Sequence, residues 1–215
     1  MENNRRGFIR KMGAIGAGAA LVSADPLWAI ANEASDSSIN AVNKGEFTLS
    51  ILQTTDVHCQ VHPHDELFWE NDRAVFRKTG GYAHLATYLK QEKKRNPNTF
   101  IIDTGDMFQG SELSVKTSGK AMVPVLNELG YDLYLPGNWE VIYHKRAMQT
   151  LLGALNAPKV CANMYHDLGN GKRGELIFQP YHVWNVGGVK IGFLGYTDPL
   201  VPVRQSPSYS KGIIY

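Results

Sequence analysis

Three short segments carry residue types that bind hard divalent cations: Asp56-Val57-His58, Gly105-Asp106 and Gly137-Asn138-Trp139-Glu140. An Asp and a His two positions apart can reach one ion when the residue between them turns away. A carboxylate such as Asp106 can bridge two cations through its two oxygens. The Asn138 amide offers a neutral oxygen that adds no surplus negative charge. Mixed oxygen and imidazole ligation suits Mn, Zn, Fe or Mg better than a soft-metal site. Each piece alone is weak, because Asp-x-His is common and Gly-Asp and Gly-Asn are turn dipeptides. The conjunction carries the weight: all three segments follow apolar runs, in order along the chain.

The elements that must position them alternate between strand and helix patterns. Residues 47–53 read as a first strand, ending at Thr54-Thr55-Asp56. Residues 59–79 hold His62, His64 and many charges with no sustained period, and read as a long solvated loop. Gly80-Gly81 opens a helix with Tyr82, Leu85, Ala86 and Leu89 on one face and lysines near its end, where the helix dipole favours them. His84 on that helix reads as structural. Residues 99–102 form a second strand ending at Asp103-Thr104-Gly105-Asp106. Residues 120–129 form a helix stopped by Gly130, and residues 131–135 a third strand closed by Pro136-Gly137-Asn138. A third helix over 146–155 and a fourth strand over 159–162 follow. Residues 166–174 read as a polar loop. Two strands over 181–186 and 189–194 flank Gly187-Gly188, a hairpin signal. Residues 198–210 carry three prolines and no clear period. In such an α/β domain, ligands bind beyond the carboxyl ends of the strands, which is where the three segments lie.

Composition excludes some functions. Formal net charge is +2 over 215 residues, and Arg5, Arg6, Arg10 and Lys11 against Glu2 and Asp25 place that excess in residues 1–31. The remainder has no basic stripe with interleaved aromatics, so no nucleic-acid partner is expected. Residues 1–31 read as a twin-arginine signal peptide: paired arginines, a short Gly/Ala-rich apolar core and a small-x-small cleavage site. The apolar run is too short for a stable membrane anchor. The expected location is therefore periplasmic or secreted, with residues 32–45 as a linker and 46–215 as the folded part. Cys59 and Cys161 read as two buried small apolar side chains rather than a bridge.

The three segments resemble the successive motifs of the calcineurin-like metallophosphoesterases, and more narrowly the D-x-H, G-D-x-x-x-G and G-N-H-E segments of the 5′-nucleotidase branch. Gly110 fits the trailing glycine, and Gly80-Gly81 and Ala162-Asn163 also fit. The resemblance implies a four-layer αββα sandwich with mixed sheets, with the C-terminal part of that fold lying beyond this sequence. It implies two divalent metal ions, with Asp56 and His58 on the first, Asp106 bridging, and Asn138 on the second. Further histidine ligands of the family belong to later motifs, and neither His166 nor His182 has their glycine-histidine context. The implied activity is metal-assisted hydrolysis of small phosphate esters such as nucleotides.

One position departs from the pattern. The family carries a catalytic histidine after the asparagine and an aspartate three residues further on; this chain has Trp139 and Ile142. An indole can donate a hydrogen bond but transfers no proton at neutral pH. The SoxB thiosulfohydrolases, a sister branch that resembles this chain and carries tryptophan beside the metal-ligand segment, act on a cysteine-bound sulfonate of a carrier protein. Three readings follow: a nucleotidase-type phosphoesterase, a thiosulfohydrolase, or a non-catalytic homologue.

Overall fold

A computed structural model describes residues 48–215. The leader at 1–31 and the linker at 32–45 lie outside those residues. The described part is a mixed α/β domain built on a parallel sheet of three strands: β1 (Ser50–Thr54), β4 (Thr99–Asp103) and β5 (Leu133–Tyr134), in the order β1-β4-β5. Register aligns the strand ends: Thr54 pairs with Asp103, and Asp103 with Tyr134. The three segments therefore leave one edge side by side, two to four residues beyond aligned positions.

Side-chain alternation in the central strand divides the two faces. Thr99, Ile101 and Asp103 are buried on one face. There Ile101 joins a core with Leu89 of α1 (Tyr82–Arg95), Leu126 of α3 (Met122–Leu129) and Met148 and Leu152 of α4 (His144–Gly153). Phe100 points the other way and stacks on Trp184, centroids 3.9 Å apart and planes 13° apart. Trp184 belongs to the hairpin β8 (Tyr181–Val186) and β9 (Val189–Leu194), which meets that face at Phe100 and leaves Ile51 half exposed. Met107, Met122, Met148 and Met164 are all fully buried, flexible fillers of an irregular core.

The helices form for local reasons. In α3, Met122, Leu126 and Leu129 recur at helical spacing on the buried face, and Gly130 at φ 70° ends it in the left-handed conformation. In α1, Lys93, Lys94 and Arg95 occupy the last turn. Lys93 also reaches Asp132 at 2.9 Å, while Asp132 accepts the Ile101 N–H at 2.8 Å. The short α2 (Glu112–Lys116) is capped by Ser111, whose side chain accepts from the Ser114 N–H.

Several expectations are corrected. Residues 59–79 are not one long loop: β2 (His64–Glu70) and β3 (Arg73–Thr79) form a hairpin around Asn71 and Asp72, at φ 49° and 60°. That dipeptide supplies the double left-handed turn of a hairpin. Among the described residues the strands pair only with each other and leave Leu67, Trp69 and Phe76 exposed, so no buried face marks them in the sequence. Residues 166–174 likewise fall across β6 (Tyr165–Asp167) and β7 (Arg173–Leu176), with β6 also pairing to β10 (Ile213–Ile214). The fourth strand at 159–162 is an extended stretch with single bridges from Lys159 to Tyr134 and from Val160 to Gln179. The tail adds a one-turn helix, α5 (Val201–Arg204).

Leu126 is 0% exposed where α3 meets the core. Leu126→Ala is expected to lower unfolding free energy by about 2–5 kcal/mol, read from the urea midpoint at unchanged slope.

Candidate functional site

Beyond Thr54 the chain turns sharply. Asp56, His58 and Cys59 adopt φ of 52°, 48° and 59°, and Asp106 across from them 62°. Such left-handed conformations cost of order 1–3 kcal/mol each and persist only where the surroundings over-determine them. Here they are tied down by backbone bonds: Asp56 N–H to Gly105 C=O at 3.0 Å, and His58 N–H to Asp106 C=O at 3.0 Å. The result brings a donor atom from each of Asp56, His58 and Asp106 within 4.8 Å of one another.

His58 has a defined tautomer. Its Nδ1 lies 2.8 Å from the Gln109 carbonyl, so Nδ1 carries the proton and donates. In the neutral ring Nε2 then carries the lone pair, and it lies 3.7 Å from Asp106 Oδ2. A carbonyl on one imidazole nitrogen is the usual orienting contact for a metal-binding histidine. Asp106 is 3% exposed. Its Oδ1 accepts the Trp139 N–H at 2.8 Å, which leaves Oδ2 for another partner. Burial raises its pKa, the Trp139 N–H opposes that, and the nearby Asp56 carboxylate adds to the rise. Among the described residues no lysine or arginine pairs with it. Two carboxylates and an imidazole lone pair, one carboxylate buried, lack a cation, and a divalent ion fits that donor set.

The third segment meets the second through glycines. A Cβ on Gly105 would lie 2.1 Å from the Gly137 nitrogen, and one on Gly137 would lie 2.3 Å from Asp106 Oδ1. Gly105 is also at φ +108°. Only glycine admits this crossing. Asn138 and Trp139 are half-buried on the far side, with the indole edge-on to the His58 imidazole at 6.3 Å. Asn138 thus stands beside the triad, with its main-chain neighbour bonded to Asp106.

Two acidic groups to which the sequence assigned no role of their own, Glu140 and Asp103, underlie the site. Glu140, 1% exposed, accepts the N–H groups of Asp106, Met107 and Gly137 at 2.9, 2.8 and 2.6 Å. Complete burial, then the Asp106 charge, push its pKa up. Asp103 accepts from Thr54 Oγ1 at 2.5 Å and from the Gly105 N–H at 2.9 Å. Burial raises its pKa to about 6 against the hydroxyl and amide bonds that oppose the rise.

The remaining histidines lie elsewhere. His62 is exposed, and His64 starts β2 and contacts Glu66 at 3.1 Å. His84 meets the Gly80 carbonyl at 2.7 Å, the structural role expected of it. His166 sits in β6, and His182 in β8 lies edge-on to Trp184. Cys59 and Cys161 are buried and unbridged. The Cys59 thiol donates to the Met107 carbonyl at 3.1 Å, and burial raises its pKa, which keeps it a thiol.

Gly105→Ala is expected to force the two loops apart and to lower stability by about 2–4 kcal/mol. Asp103 gives a pH signature. Its folded pKa lies above the ordinary 3.8, so the folded state holds a proton that the unfolded state has already released. Stability of metal-free protein relative to Asp103→Asn is therefore highest below pH 4. It falls as the pH rises to about 6, by about 2–3 kcal/mol, with the urea midpoint as the measure.

Comparison with known proteins agrees with this geometry. Residues 49–205 match the calcineurin-like phosphoesterase family. The snake venom 5′-nucleotidase of Gloydius brevicauda is 30% identical over 171 residues, covering 78% of this chain and 28% of that protein. The 5′-nucleotidase of Bos taurus is 30% identical over 162 residues, 74% and 28% of the two chains. The chain thus spans about 28% of the length of these relatives. Among solved structures, Haemophilus influenzae NAD nucleotidase aligns with TM-score 0.68 at 25% identity, covering 78% of this chain and 29% of that one. The sulfate thiohydrolase SoxB of Thermus thermophilus aligns with TM-score 0.67 over 80% of this chain and 40% of its own, and at 20% identity it is similar in fold. With the family matched over most of its length and the glycine-bounded loops in place, the chain belongs to the calcineurin-like phosphoesterases.

Proposed function

We propose that this chain forms the metal-binding edge of an exported hydrolase that acts on small phosphate esters, nucleotides among them. The observation that carries the reading is the approach of Asp56, His58 and Asp106 donors to within 4.8 Å at the carboxyl edge of the parallel sheet. Asp56 and His58 would hold a first divalent ion, Asp106 would join it to a second, and Asn138 would serve the second. Such ions, when bound, supply Lewis-acid polarisation of the phosphate and lower the pKa of water. The similarity to 5′-nucleotidases supports a phosphate ester as substrate. Export rests on the twin-arginine pattern of residues 1–31. Among the described residues no helix is long and apolar enough to cross a membrane.

The chain's own residues set the limits of the chemistry. His58, donating from Nδ1 to the Gln109 carbonyl, is oriented for ligation through Nε2. Trp139 faces the same site and cannot protonate a leaving group. Esters whose leaving groups depart as anions are therefore favoured over ribose alkoxides. The same residue supports a second reading, in which a sulfonate is removed from a carrier-borne cysteine, whose thiolate leaves far more easily.

With Mn²⁺, the full-length protein is expected to hydrolyse p-nitrophenyl phosphate well and AMP slowly, and Asp106→Asn to abolish both. Trp139→His with Ile142→Asp is expected to raise AMP turnover by about 10²-fold and to leave p-nitrophenyl phosphate little changed. Sulfate release from a thiosulfonated carrier cysteine, with both phosphate esters untouched, would replace this reading with the second.

A further inference from the structure

We propose that Glu140 and Gln205 are positioning residues that fix the Asn138–Trp139 peptide, and through it the origin of the Asn138 side chain, against Asp106 before any cation binds. The proposal rests on the reading of this edge as a divalent-metal centre and extends it to how the centre is built.

The Asn138–Trp139 peptide group is held at both poles. Its carbonyl accepts from Gln205 Nε2 at 2.8 Å. Its N–H donates to Asp106 Oδ1, also at 2.8 Å. A planar unit bonded at both poles cannot swing about its flanking torsions without losing one bond. The plane from which the Asn138 Cα departs, and with it the origin of its side chain, is thereby fixed. Both anchors come from far along the chain, 67 and 33 residues away, so the turn cannot hold itself in this way. Gln205 follows α5 as its C-cap, and its Oε1 is buried with no partner among the described residues, so among them the Asn138 carbonyl is what orients the amide.

Glu140 fixes the opposite side of the turn. Oε2 accepts from both Asp106 and Gly137, and Oε1 from Met107. One carboxylate therefore joins the loop after β4 to the loop after β5. A carboxylate suits this task because both of its oxygens only accept. A carboxamide would turn an NH₂ group toward at least one of the three N–H donors. Among the described residues no cation pairs with Glu140, so its charge depends on those N–H groups. An apolar side chain of similar volume often serves stability as well as a buried charge does. What the carboxylate adds is a fixed spacing between two ligand-bearing loops.

The test uses metal-free full-length protein, wild type against Gln205→Met and Glu140→Gln, titrated with Co²⁺. Calorimetry gives affinity, visible absorption reports ligand geometry, and amide exchange of residues 137–141, within the 136–141 segment, is followed before metal is added. Gln205→Met is expected to speed exchange in that segment, weaken Co²⁺ binding about 10-fold and alter the absorption bands, with the far-ultraviolet spectrum unchanged. Glu140→Gln is expected to weaken binding by about 10–100-fold. If Glu140→Gln does not fold, Gln205→Met decides alone. Exchange, affinity and absorption all unchanged in Gln205→Met would overturn the proposal, since a purely structural role moves the melting temperature and none of these. Normal Co²⁺ uptake by a wild type that hydrolyses no phosphate ester would sink the functional reading and leave this one standing. If the wild type takes up no Co²⁺, the metal-centre reading falls, and exchange at 136–141 still decides whether the turn is anchored.

Discussion

Two backbones cross at Gly105 and Gly137 with no room for a side chain on either, and the rest of the site is arranged around that crossing. It lets the Trp139 N–H reach Asp106 and lets one buried carboxylate bond to both loops. It depends in turn on the parallel register that places Thr54, Asp103 and Tyr134 abreast. The sheet brings the loops to one edge, and the glycines let them touch.

Asp56, His58, Cys59 and Asp106 all hold left-handed backbone conformations, and two buried carboxylates sit behind them with no cationic partner among the described residues. The strain and the unpaired charge occupy the same few residues. Amide donors and neighbouring strands hold them there, as expected where local stability is given up for placement. The raised pKa values of Asp103 and Glu140 report the same compromise.

Much of this was legible in the sequence. Asp56, His58 and Asp106 could be named because each follows an apolar strand and each is a ligand type. The structure brings all three together. The helices over 82–95 and 122–129 were legible because their buried positions recur at helical spacing. The β2–β3 hairpin was not, because neither of its strands buries a face and only Asn71-Asp72 hints at the turn. The strand β6 was hidden because part of its pairing is with Ile213 and Ile214, far along the chain. Gln205 carried no signal at all: its role exists only once the tail folds back on Asn138. Glu140 was visible as part of a motif, but its three backbone bonds depend on the crossing of loops.

Trp139 has a consequence of another kind. It stands where the family resemblance expects a histidine, and it sets an intrinsic fluorophore edge-on to the His58 ring, 6.3 Å away. Indole emission responds to neighbouring imidazole charge and is quenched by paramagnetic ions at short range. The same residue would therefore give the proposed metal site an optical reporter without any added label, read against the emission of Trp28, Trp69 and Trp184.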